Sequence, residues 1–250
     1  YRRFQAARGG GTISASRTAP RGFAGAIWGQ LLERRGIYTG AHIAAIHGVE
    51  DDAFSETDVS RADILAVREK PFAVINDAHG EIMQEDIRNA GKGGESLGGR
   101  IECAVVNMPA GVGSPMFQGL ENTIAQLIFG IPAVKGLEFG AGFQVAEMVG
   151  SQNNDPFYMD ENGHVKTKTN HHGGILGGIS SGMPIILRVA IKPTASIAKP
   201  QETVDFRAGT NEILQIHGRH DPCIVPRAVP CVEAAVNLAL LSHMMDYPHF

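Results

Sequence analysis

Asn170-His171-His172-Gly173-Gly174-Ile175-Leu176-Gly177-Gly178-Ile179-Ser180-Ser181-Gly182 sets two glycine pairs around a short apolar run. Paired glycines let backbone N–H groups turn toward one point, and with no Cβ in the way a flat or phosphorylated ligand can come close. Lys192-Pro193-Thr194-Ala195-Ser196-Ile197 follows, and then Gly218-Arg219-His220-Asp221-Pro222-Cys223. These add ammonium, hydroxyl and guanidinium donors. Taken singly, each stretch has a plain structural reading: the glycines as tight turns, Lys192 as a solvated lysine, Asp221 as an N-cap or an ion-pair partner of Arg219. The three in this order predict an anion-binding enzyme site, with Pro222 restricting Asp221 to extended backbone.

Outward from these blocks, residues 185–191 and 212–216 read as strands, and 137–149 has a strand-like pattern with glycine breaks. Leu120, Ile124, Leu127 and Ile128 share one face of a helix over 119–129. Further upstream come a strand at 101–107, a polar helix at 78–89 ended by Gly91, Gly93 and Gly94, an acidic loop at 50–60 and a strand at 39–47. Phe23, Ile27, Leu31 and Leu32 have helical spacing within 22–35. Residues 227–245 form a long apolar helix, expected in the middle of the fold or at a subunit contact. Strands and helices mix without regular β-α-β spacing, which argues against a doubly wound sheet and predicts an α+β layered fold in one domain over 1–250.

Composition narrows the function. With 250 residues and 43% hydrophobic content the chain can bury a sizeable core, and its charge of −4 with scattered basic residues argues against a nucleic-acid surface. Cys103, Cys223 and Cys231 leave an odd thiol and no C-x-x-C pair, which argues against a disulfide framework or a cysteine-zinc site and for a reducing cytoplasm. The histidine pairs His171/His172 and His217/His220 lack a third ligand in sequence, so no metal is expected. No apolar run is expected to reach the roughly 18 to 20 residues that cross a bilayer, and Tyr1-Arg2-Arg3-Phe4 starts no signal peptide. A soluble protein is expected. Neither a P-loop nor a G-x-G-x-x-G after a strand is present.

Together with Arg8-Gly9-Gly10-Gly11, Phe23-Ala24-Gly25-Ala26-Ile27 and the blocks at 93–99, 109–115, 133–140 and 150–155, the three opening stretches resemble the chorismate synthase family over nearly the whole chain. The resemblance implies a β-α-β sandwich with helices between mainly antiparallel sheets, assembled as a homotetramer. It implies a phosphate lyase that converts 5-enolpyruvylshikimate 3-phosphate to chorismate with reduced FMN, NAD(P)H serving as reductant in bifunctional members. By the matching motifs, the cofactor would be bound by Thr12, Ile13, Ser14, Pro132, Ala133, Gly177, Lys192, Pro193, Thr194, Ala195, Ser196 and Arg219. Asp221 would deprotonate the flavin N5, and His171 or His172 would hydrogen-bond near the flavin. The first block departs from the family: Thr12 and Ser16 stand where basic residues are expected, with Arg17 displaced by one. The family's Gly-Glu-Ser-His-Gly motif is missing, so the sequence reads as a fragment. The rival reading is a non-catalytic flavin-binding or oligomerisation remnant; a flavin reductase is weaker still, for want of a pyridine-nucleotide motif.

Overall fold

The computed structural model describes residues 18–218 and 220–246. Its centre is a five-stranded sheet in the order β2 (Val49–Glu50), β1 (Tyr38–Ile46), β3 (Gly99–Val106), β9 (Ile185–Ile191), β4 (Val134–Phe139), with all neighbours antiparallel. Because both faces are covered, β1, β3 and β9 are apolar almost throughout rather than alternating. Ala41, Ile43, Ile101, Cys103, Val105, Leu187 and Val189 belong to the main core, with Val225, Val229, Val232 and Val236 of helix α6 (Val225–Asp246). Helices α1 (Thr18–Glu33) and α4 (Leu120–Ile128) flank α6. A smaller cluster joins Ala104, Val106 and Ile186 to Phe54 and to Ile64 and Val67 of α2 (Arg61–Arg68). Helix α3 (Asp77–Lys92) leads into β3; α5 (Gly150–Asn153) is one turn. Three two-stranded ribbons complete the described residues: β5 (Phe157–Met159) with β6 (Val165–Thr167), β7 (Ile175–Leu176) with β8 (Ile179–Ser180), and β10 (Gln201–Asp205) with β11 (Thr210–Leu214). The expected α+β class with antiparallel sheets is what the chain adopts.

On the face away from α6, the register lines up His42, Glu102, Arg188 and Glu138 across β1, β3, β9 and β4. The row alternates in sign when His42 is charged, the favourable arrangement for cross-strand neighbours. His42 is fully buried, with Nδ1 3.1 Å from Asp51 Oδ2 and Nε2 3.0 Å from Glu102 Oε2. Burial works against the charged imidazole, but the hydrogen bonds with Asp51 and Glu102 outweigh it and raise its pKa above the ordinary 6.5. Arg188 Nε donates to Glu138 Oε1 at 2.6 Å, and the same guanidinium donates to the carbonyl of Gly140.

That last contact corrects one expectation. The strand-like pattern of 137–149 ends at Phe139; Gly140 and Gly142 turn the chain at φ 53° and 57°, and Gly142–Glu147 continues as a 3-10 helix. A second correction concerns α6. This 22-residue helix is long and apolar enough to cross a membrane by length and composition, contrary to the expectation of no such run. It is instead packed against α1, α4, β1 and β3, and two of its polar groups meet partners there: Glu233 Oε1 accepts from Ala41 N–H at 2.8 Å, and His243 Nε2 lies 2.9 Å from Thr123 Oγ1. Burial raises the Glu233 carboxyl above its usual range.

Candidate functional site

Three loops and a turn meet where β9 ends and β3 begins. Ile191 pairs with Gly99, so the segment after β9 is delivered beside the segment before β3. Gly98 is required at this crossing, because a Cβ there would stand 2.6 Å from the Ile191 carbonyl and 2.9 Å from Pro193 Cδ. Ser96 Oγ donates to the Thr194 carbonyl at 2.7 Å, and Leu97 N–H donates to the Pro222 carbonyl at 2.7 Å. Thr194 Oγ1 closes the triangle by donating to the Asp221 carbonyl at 3.1 Å. The turn after α4 joins through Lys192 N–H, which donates to the Ala133 carbonyl at 3.0 Å. Ala133 holds φ at 73°, a left-handed value uncommon for a residue with a side chain. Such outliers persist where the surroundings over-determine the backbone, and they cluster at functional sites.

Of the residues singled out in sequence, Pro132, Ala133, Lys192, Pro193, Thr194, Ala195, Ser196 and Asp221 thus share this end of the sheet. Lys192 is exposed, and among the described residues its Nζ reaches only the Pro193 carbonyl, at 3.4 Å. Thr194 spends its hydroxyl inside the site, on Asp221. Asp221 is partly buried; Oδ2 lies 2.8 Å from Arg227 Nη1 and Oδ1 accepts from Cys223 N–H at 3.4 Å. Sequence reasoning missed Arg227, although a basic residue in a helix first turn that holds no acidic one is a readable anomaly. Ser96 enters the sequence reading only within the glycine-rich block at 93–99. Thr12, Ile13, Ser14, Ser16, Arg17 and Arg219 lie outside the described residues.

Gly177 stands apart. It forms the turn between β7 and β8, and Gly178 is packed on Ser114 and Gly119 and accepts from Leu120 N–H at the start of α4. That is the opposite end of β9, whose seven residues separate the two places by roughly 20 Å. At this second end, His171 and His172 converge on the fully buried carboxylate of Asp155. Asp155 Oδ1 accepts from Thr169 Oγ1 at 2.7 Å and from His171 N–H at 2.8 Å, and His172 Nδ1 contacts Oδ2. Burial pushes the His172 imidazole below its ordinary pKa. Both histidines line a cavity of about 430 Å³ with Glu121, Glu138, Phe139 and Asn153.

Comparison with known proteins agrees with this arrangement of blocks. A family model described as chorismate synthase matches residues 1–245. The chain is 43% identical over 238 residues to a chorismate synthase of Korarchaeum cryptofilum, covering 95% of this chain and 64% of the relative. It is 45% identical to those of Thermococcus gammatolerans and Dehalococcoides mccartyi, covering 95% and 96% of this chain and 65% of each relative. A solved structure titled Crystal Structure of Chorismate Synthase superposes with a TM-score of 0.76 at 28% identity, over 94% of this chain and 64% of the other. The chain therefore spans a little under two thirds of the length of these proteins.

Proposed function

The chain belongs to the chorismate synthase family, and from that premise we propose that its protein is a phosphate lyase. It converts 5-enolpyruvylshikimate 3-phosphate to chorismate by 1,4-elimination of phosphate, with reduced FMN as cofactor, in the shikimate pathway of aromatic amino acid biosynthesis. The observation that carries the reading is the stitching of Ser96, Thr194 and Asp221 into one site beside Ala133 and the exposed Lys192.

The donor set fits a flavin phosphate: an exposed ammonium at Lys192, an exposed hydroxyl at Ser196 and a strained turn at Ala133 that brings backbone to the surface. Lys192 and Ser196 would hold the phosphate, and Pro132, Ala133 and Thr194 would shape the wall beside it. Reduced FMN, when bound, supplies an electron transiently and takes it back, so the net redox change is zero. The chain's own part is to orient, to exclude water and to manage a proton: Asp221, partly buried and anchored through its carbonyl by Thr194, is placed to accept one on its carboxylate. Thr12, Ile13, Ser14, Gly177 and Arg219 remain assigned to the cofactor by resemblance. NAD(P)H enters only where the reductant is built into the enzyme.

In this reading the chain forms one domain of a cytoplasmic homotetramer, without nucleic-acid or membrane partners. Support for assembly comes from α1, where Phe23, Ile27 and Leu31 form an exposed apolar stripe, 73%, 46% and 40% accessible. Asp221→Asn in the intact protein tests the chemistry, since it keeps size and removes the proton acceptor. Anaerobic chorismate formation with reduced FMN is expected to fall about 10²- to 10⁴-fold with substrate and FMN still bound. Near wild-type turnover would remove Asp221 from proton transfer.

A further inference from the structure

The partner that the structure gives Asp221 is Arg227, and its placement is unfavourable by local rules. It is the third residue of α6, whose first turn carries no acidic residue. The backbone N–H groups there make the helix end positive, so a cation is disfavoured. The Arg227 side chain is 79% accessible, and an exposed ion pair contributes little to stability. Stability therefore does not account for an arginine at this position. Local rules broken without a gain in stability are expected at functional sites.

We infer that Arg227 is a positioning residue for Asp221, which rests on the reading of Asp221 as the proton acceptor. Asp221 is fixed from two sides. On the loop side, Thr194 Oγ1 holds its carbonyl at 3.1 Å, and Ser96 holds Thr194 in turn. On the helix side, Arg227 Nη1 holds Oδ2 at 2.8 Å while Cys223 N–H reaches Oδ1 at 3.4 Å. Without the guanidinium, that long second contact is the only one from the described residues to restrain the carboxylate rotor, whose last torsion is broad and two-fold. The support is rigid, because Val225, Ala228 and Val229 around Arg227 are buried in the core. Arg227 thus transmits the fixed position of the core helix to the one carboxylate that must meet the ligand at a defined angle.

The test uses the intact protein with reduced FMN under anaerobic conditions. Arg227→Ala is expected to lower kcat about 10- to 100-fold, the usual loss for a misplaced catalytic group, while KM, FMN binding and Tm stay near wild type. Arg227→Lys should regain part of the loss, and millimolar guanidinium should partly rescue Arg227→Ala. The double variant with Asp221→Asn should be no slower than Asp221→Asn alone. Unchanged kcat in Arg227→Ala would overturn the inference and leave a surface ion pair. A loss confined to KM or FMN binding would overturn it too, by making Arg227 a direct ligand contact. If Asp221→Asn itself turns over normally, the underlying reading of Asp221 fails first, and that arm tells the two failures apart.

Discussion

At the scale of single residues, Lys192 illustrates how neighbours change the meaning of a side chain. A lone exposed lysine is ordinary surface; one that follows a buried strand, docks its N–H on a strained Ala133 and, among the described residues, brings its ammonium no nearer an acceptor than the Pro193 carbonyl at 3.4 Å is positioned for an anion. Lys192→Ala is expected to weaken FMN binding to the intact protein by about 1.5 to 3 kcal/mol, the worth of a charge-assisted hydrogen bond. Flavin fluorescence titration measures it, and an unchanged Kd would take Lys192 out of the site. The motif was legible because Pro193-Thr194-Ala195-Ser196 stands beside the lysine. Arg227 was readable only as a misplaced cation, because its partner is named only by where the loop before α6 places Asp221.

At the scale of elements, α1 shows periodicity and packing pointing to different faces. Phe23, Ile27 and Leu31 announce the helix, yet they are exposed, and the face against α6 is Gly25, Gly29 and Leu32. A Cβ at Gly25 would overlap both Cβ and Cα of Ala234, and one at Gly29 would stand 2.9 Å from Asn237 Nδ2. The obstruction at Gly25 includes backbone and cannot be relieved by a rotamer change. Gly25→Val should therefore cost about 1 to 3 kcal/mol through overpacking, read as a lower Tm in thermal denaturation, whereas Gly22→Ala, with nothing within 4 Å of the added Cβ, should not lower it comparably. Helix α2 escaped sequence reading although Ser60 and Asp63 form a capping box, since its acidic surroundings resemble a loop. The short ribbons escaped because two- and three-residue strands carry no readable alternation.

At the scale of the whole molecule, the row His42, Glu102, Arg188 and Glu138 ties four strands of the sheet together, with Asp51 against the His42 imidazole and His79 3.8 Å from Asp51. Because the folded state raises the His42 pKa, the stability it contributes is complete below about 6.5 and is lost as pH rises through the raised value. Asp51 acts on the acid side: burial opposes its charge, but His42 and the N–H groups of Asn76 and Ile75 lower its pKa, so its contribution holds above 3.8 and fades as pH falls through the lowered value. Urea midpoints measured from about pH 5 to about pH 9 should thus decline on the alkaline side, and His42→Gln should be less stable at pH 6 with a flatter alkaline limb. An unaltered limb would mean that His42 is neutral in the folded protein. The sequence by itself determined the blocks of chemistry, the α+β class, strands β1, β3, β4 and β9 of the central sheet and helices α1, α3, α4 and α6, since periodicity, proline and glycine act on their own neighbours. The tertiary structure alone decided that Ser96 meets Thr194 across 98 residues, that Asp221 faces Arg227, and that Gly177 sits at the far end of β9. Those contacts follow from strand order and register, which many weak and distant interactions fix together and no local pattern encodes.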